Sequence, residues 1–260
     1  MGCGIAQAFG MAGFNVVLQD VCNEALAKAK DTITQSLHKL GLSPIKSILF
    51  TPSTKDLKDC DLIIEAVPEQ IDIKIQTFQY LLPYLSPRTI LASNTSSISI
   101  TQMGRLTDRP ERFIGMHFMN PVPLMNLVEI IPGDSTSPEI IQIIQDLTKA
   151  LGKTSVLSKD SPGFITNRIL MPMINEAIYA YHEGIASLED IDMAMKLGLN
   201  HPMGPLRLAD FIGLDTCFYI MTILHQGFQN PKYLPCPLLE QYVKSGRLGR
   251  KSGQGFYDYP

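Results

Sequence analysis

His117 stands in the run Met116-His117-Phe118-Met119-Asn120-Pro121-Val122-Pro123, and Glu129 follows twelve residues on, inside Leu127-Val128-Glu129-Ile130-Ile131. A strand, a proline-bounded turn and a second strand would bring two such residues side by side. A carboxylate among aliphatic side chains is costly to bury without a partner, and an imidazole is the partner in reach. The acid would then fix the ring's tautomer, orient it and make it a better base, leaving the second nitrogen to take a proton. The same residues suit a plainer arrangement, with Glu129 facing solvent and His117 merely packed.

Other groups gather near strand ends. Ala92-Ser93-Asn94-Thr95-Ser96-Ser97 follows the apolar pair Ile90-Leu91, where short hydroxyl and amide side chains either hold a ligand or cap the next helix. Glu65 and Glu69 come after Leu62-Ile63-Ile64, and each taken singly reads as a solvated loop acid. Lys74 reads equally as a surface lysine. Asn167 and Arg168 follow Pro162-Gly163-Phe164, at the start of a different kind of sequence, and serve a ligand or a helix cap. At the amino terminus a small-residue helix, Gly13, the strand Val16-Val17-Leu18 and Asp20 form the later part of a dinucleotide-binding βαβ unit. An acid there accepts hydrogen bonds from a ribose and repels a 2′-phosphate, which favours NAD over NADP.

These residues need a scaffold. Val16 to Leu18, Leu62 to Ile64, Ile90 to Ala92 and Phe113 to Met116 read as short buried strands. Helical patterns at Gly4 to Ala12, Asn23 to Leu40 and Asp72 to Leu82 separate them. That alternation predicts an α/β fold, a Rossmann-like doubly wound parallel sheet. Ser137-Pro138-Glu139 opens a helix that Gly152 closes, and Val156-Leu157 is the last strand candidate. From Ser161 onward only helix signals occur, including one from Pro162 to about Glu183 and one capped by Ser187. The expected division is an NAD-binding domain over 1–158 and an all-α domain over 159–260.

Composition narrows the functions. Of 260 residues, 45% are hydrophobic and 18% charged, which suits a chain with a real core. Twenty-two basic against twenty-five acidic residues give a net charge of −3 with neither sign bunched. Neither nucleic acid nor an anionic membrane is therefore an expected partner. Five scattered cysteines, odd in number and never spaced C-x-x-C, argue against a disulfide framework or zinc. They suit a reducing compartment, the cytoplasm foremost, with mitochondrial or peroxisomal location still compatible.

Taken together, the segments resemble the L-3-hydroxyacyl-CoA dehydrogenase family, its short-chain members above all. The resemblance is carried by Ala92 to Ile98, Gly115 to Pro123, Leu127 to Ile131, Pro162 to Arg168, Glu189 to Leu197, His201 to Pro205, Gly213 to Thr216 and Gly249 to Tyr257. It implies NAD-dependent, reversible oxidation of a short-chain L-3-hydroxyacyl-CoA, with a helical carboxyl domain that builds a homodimer. It also implies that His117 is the general base and that Glu129 orients it. Ser96 and Asn167 would hold the reacting end of the substrate, and Asn120 would line both substrate and nicotinamide. Cofactor contacts would come from Gly2, Asp20, Glu69, Lys74 and Lys251, with Ser96 shared; Ser36 would touch coenzyme A. No metal is needed, because one base near its working pH suffices for hydride transfer.

Two departures from the family accompany this. Only Gly2 remains of the fingerprint glycines, and the first strand of the sheet is missing, so the chain reads as incomplete or mis-started; its loss would leave two strands with unpaired edges. The connection from Leu40 to Thr51 is also short, which would weaken acyl-CoA binding. A dehydrogenase of a free hydroxy acid on the same fold, or a non-catalytic paralogue, are the competing readings.

Overall fold

The apolar runs of the first half form seven strands: β1 (Val16–Gln19), β2 (Ile48–Thr51), β3 (Leu62–Glu65), β4 (Ile90–Ser93), β5 (Phe113–Phe118), β6 (Leu127–Pro132) and β7 (Thr154–Leu157). Helix α1 (Gly2–Met11) precedes them, and between them run α2 (Asn23–Lys39), α3 (Ile71–Leu81), α4 (Ile100–Gly104) and α5 (Pro138–Ala150). The computed structural model describes Met1–Pro260 and divides it into two units, Met1–Ser161 and Pro162–Pro260.

In the first unit β1 pairs in parallel with β2, and a five-stranded sheet runs in the order β3-β4-β5-β6-β7. Neither β1 nor β3 has a strand on its other side, so the sheet stands in two pieces. The consequence is visible in burial. Every residue of β1 is only half-buried, as are Leu62 and Ile64 of β3, whereas β4 is buried throughout. Helix α1 joins the pieces: Ile5 and Ala8 pack with Leu62, Ile64 and Ile114, and Ala6 packs with Val16, Leu18 and Ile48.

The sheet is parallel but for one step, where β5 and β6 are antiparallel, as a strand, a short turn and a second strand around His117 imply. The turn between them is too short for the crossover that a parallel pair needs. Strand β2, within the short connection after Leu40, was not foreseen. Four residues with Leu49 51% exposed make a weak signal, and pairing with β1 supplies what the local sequence does not.

The division falls at Ser161/Pro162 and not at 158/159. Asp160 explains this, since its carboxylate caps α4, accepting from Ser99 Oγ at 2.7 Å, Thr101 N at 2.8 Å and Ile100 N at 3.1 Å. Those bonds keep the segment with the first unit. Ser137 and Ser187 cap their helices as their sequence positions suggest, accepting from Ile140 N and Asp190 N.

The second unit contains α6 (Thr166–His182), α7 (Leu188–Gly198), α8 (Pro205–Ile212), α9 (Leu214–Phe228) and α10 (Pro237–Lys244). Its core gathers Met171, Ile174, Ile178, Leu206, Leu214 and Leu224, all at most 2% exposed. Two buried acids organise the rest. Asp192 caps α8 through Leu206 N and Arg207 N, and Asp210 holds the tail through Phe256 N and Tyr257 N. Gly255 must be glycine, because an added Cβ would overlap Asp210. No single helix is long and apolar enough to cross a membrane.

Candidate active site

The antiparallel register of β5 and β6 places His117 directly opposite Glu129. Their side chains meet with Nδ1 2.6 Å from Oε2, the imidazole 9% exposed and the carboxylate fully buried. A carboxylate only accepts, so Nδ1 carries the proton of that bond and the lone pair of the neutral ring resides on Nε2. The surrounding strand is apolar on both sides, with Val128, Ile130 and Ile131 fully buried. The pairing inferred from spacing is the one the fold makes, and the solvent-facing alternative for Glu129 does not hold.

A second polar cluster lies at the carboxyl ends of β3 and β4, the same sheet edge at which β5 ends. Glu69 Oε1 accepts from Thr95 Oγ1 at 2.6 Å, Ser96 N at 2.8 Å, Ser97 Oγ at 2.9 Å and Ser96 Oγ at 3.1 Å. Burial alone would raise this carboxyl. The Lys74 ammonium and the hydroxyl and amide donors outweigh it and hold the group below the usual glutamate range. The loop that carries Ser96 is thereby shaped by an acid twenty-seven residues earlier. Asn94 ties that loop to the histidine strand, its Oδ1 accepting from Phe118 N at 3.0 Å.

Lys74 and Glu65 depart most from their sequence-based readings. Lys74 is no surface residue: its side chain is 1% exposed, and Nζ donates to Glu65 Oε1 at 2.8 Å, Glu69 Oε2 at 3.1 Å and Val67 O at 3.3 Å. An ammonium has three N–H donors, and three protein acceptors engage them. In this arrangement Lys74 pairs with Glu69, the acid that shapes the Ser96 loop. Glu65 is no solvated loop acid but a fully buried carboxylate that also accepts from Val67 N and Ser93 Oγ, each at 2.6 Å. An acid closing an apolar strand, with a lysine nine residues on, was the available signal.

Helix α1 begins at Gly2 with no side-chain hydrogen bond at its cap, which leaves the amide donors of its first turn without a side-chain acceptor. Gly2 itself has room for a side chain, its nearest neighbours being Ala66 and Leu18 at 3.8 and 3.9 Å from an added Cβ. Gly4, which sequence reasoning passed over, has less room: an added Cβ would lie 3.0 Å from Val122 Cβ. The first turn of α1 thus abuts the turn that follows His117. Asp20 is exposed just beyond β1, with Oδ1 accepting from Cys22 N at 2.9 Å.

The remaining expected residues are placed as follows. Asn120 is exposed in the turn between β5 and β6. Ser36 is half-buried on α2, its Oγ accepting from Gln7 Nε2 of α1 at 3.0 Å. Asn167 lies buried in the first turn of α6, and Lys251 is paired with Asp215 at 2.6 Å, both within the second unit.

Residues 1–161 match the sequence model of the 3-hydroxyacyl-CoA dehydrogenase NAD binding domain, and residues 163–259 match that of the family's C-terminal domain. The chain belongs to the 3-hydroxyacyl-CoA dehydrogenase family. This dehydrogenase is 51% identical over 269 residues to 3-hydroxybutyryl-CoA dehydrogenase of Bradyrhizobium diazoefficiens, covering 100% of the chain and 92% of that protein. It is 42% identical over 276 residues to the human mitochondrial hydroxyacyl-coenzyme A dehydrogenase, covering 100% of the chain and 88% of that protein. The solved structure of (S)-3-hydroxybutyryl-CoA dehydrogenase from Ralstonia eutropha superposes with a TM-score of 0.96 at 46% identity, covering 100% of this chain and 95% of that one. The cofactor of this dehydrogenase is NAD, and the residues present fit it. An uncapped helix terminus suits a pyrophosphate, and an exposed acid beyond β1 suits a ribose while repelling a 2′-phosphate.

Proposed function

We propose that this dehydrogenase oxidises a short-chain L-3-hydroxyacyl-CoA, 3-hydroxybutyryl-CoA foremost, to the 3-oxoacyl-CoA, and runs in reverse on acetoacetyl-CoA. The His117–Glu129 pair carries the reading: a buried carboxylate 2.6 Å from Nδ1 leaves Nε2 as the proton acceptor. Bound NAD would supply the hydride acceptor for the oxidation at C3. His117 takes the 3-hydroxyl proton at Nε2, and Glu129 faces the positive charge that develops on the ring. In reverse His117 returns that proton to the carbonyl oxygen.

Further roles belong to the same proposal. Ser96, held by Glu69, and Asn167 hydrogen-bond the substrate's oxygen, and Asn120 lines the substrate and nicotinamide. Gly2 and Asp20 contact the cofactor, together with Glu69, Lys74, Ser96 and Lys251, and Ser36 touches coenzyme A. A homodimer is supported by apolar side chains left exposed on the second unit, Ile169 at 66%, Ile185 at 71% and Leu197 at 77%. Five free cysteines support a reducing compartment, the cytoplasm first.

The test follows NADH oxidation at 340 nm with acetoacetyl-CoA, and with free acetoacetate to separate the acyl-CoA reading from the free-acid one. His117→Gln is expected to lower kcat by about 10²- to 10⁴-fold, the range of a lost general base. An unchanged rate removes His117 from the mechanism, and equal rates on the two substrates remove the CoA.

A further inference from the structure

Lys153 sits between Gly152, which ends the α5 segment with φ +70, and the first residue of β7. It is 9% exposed, and Nζ donates to Val122 O at 2.7 Å and Met125 O at 2.8 Å. No carboxylate pairs with it. Burial alone pushes its ammonium below the usual lysine range. A buried cation with only neutral partners is an expensive choice where a methionine would fill the same space.

Both carbonyls belong to the turn that joins the His117 strand to the Glu129 strand and carries Asn120. Inside that turn Leu124 N and Met125 N both donate to Pro121 O at 3.0 Å, and the neighbouring Thr154 N donates to Asn126 O at 2.7 Å. On its other side Val122, 2% exposed, presses against Gly4 of α1. The turn is therefore gripped by a side-chain contact from the cofactor-facing helix and by the Lys153 ammonium from beneath.

We propose that Lys153 is a positioning residue for catalysis: by tying Val122 O to Met125 O it sets the geometry of the turn that presents Asn120 and spans the two strands of the His117–Glu129 pair. The inference rests on the catalytic reading of that pair. Lys153 reaches no substrate itself and acts through the turn.

Lys153→Met in the full chain keeps the volume and removes the donor. Amide exchange at residues 122–127 should quicken by about 10-fold or more, while amides of Leu91 to Ser93 stay within about 2-fold. With acetoacetyl-CoA, kcat should fall about 10- to 100-fold while KM for NADH moves less than about 3-fold, the signature of a misplaced catalytic geometry. In a His117→Gln background the same substitution should cost almost nothing further. Three results overturn the proposal: unchanged exchange at 122–127, kcat within 2-fold of wild type, or an equal further loss in the His117→Gln background, which would mark a purely structural role. If Lys153→Met does not fold, Lys153→Gln, whose shorter amide reaches one carbonyl at most, should show the same local exchange and kcat pattern, and its absence overturns the proposal equally. A wild-type chain inactive on acetoacetyl-CoA, or an active His117→Gln, would instead refute the catalytic reading; the exchange measurement would then decide the tie alone.

Discussion

Replacing Lys74 by methionine keeps the side-chain volume and deletes a charge that is 1% exposed. The Glu65 carboxylate, fully buried at 2.8 Å, then loses its counter-ion. Breaking a buried pair by removing one partner costs about 3–5 kcal/mol. Glu65 keeps two donors, Val67 N and Ser93 Oγ, each at 2.6 Å, so the lower end applies, about 3 kcal/mol. For a unit of this size each kcal/mol moves Tm by about 2–4 °C, and the expected loss is about 6–12 °C. The partner substitution supplies the control. With Glu65→Gln added, the fully buried charge is gone, only the partly exposed Glu69 carboxylate lacks Lys74, and an amide oxygen still accepts one of those donors, so the double variant should melt above Lys74→Met alone. Calorimetry of the intact chain and the three variants closes the cycle. A loss under about 2 °C for Lys74→Met, or a double variant that melts lower by the sum of the singles, would refute the idea that Lys74 and Glu65 form one buried unit.

Three further outcomes are expected. Gly4→Ala puts a methyl 3.0 Å from Val122 Cβ, so it should cost about 1–3 kcal/mol and weaken NADH binding measured by fluorescence titration. Glu69 has a folded-state pKa below its unfolded value, so its contribution is complete above about pH 4.3 and is lost as pH falls through the folded value. Urea unfolding between pH 6 and 3 should therefore show a shallower acid loss for Glu69→Gln than for wild type. Asp210→Ala leaves Phe256 N and Tyr257 N without their acceptor, at about 1–3 kcal/mol each, and limited proteolysis should cut the tail beyond Gly249 faster.

Much of the candidate site was legible because its geometry is local. His117 and Glu129 lie on two strands joined by one short turn, so spacing and apolar context together imply the pairing that the register makes. Ser137 and Ser187 mark helix starts for the same reason, since a cap bonds within its own first turn. The antiparallel step at β5–β6 follows from the same short turn.

By itself the sequence determined the alternation of strands and helices, the helical second half, the histidine–glutamate pair and the family that these motifs mark. Only the tertiary structure decided what Glu65, Glu69, Lys74 and Lys153 do. Lys74 finds Glu65 and Glu69 within nine residues, but the other partners come from distant segments: Ser93 and Ser96 reach the two acids because β3 and β4 run side by side in parallel, and Val122 O meets Lys153 from thirty-one residues away. A lone acid or lysine reads as solvated because burying its charge is costly unless partners converge. That convergence is a property of strand order and packing, which no window along the chain contains.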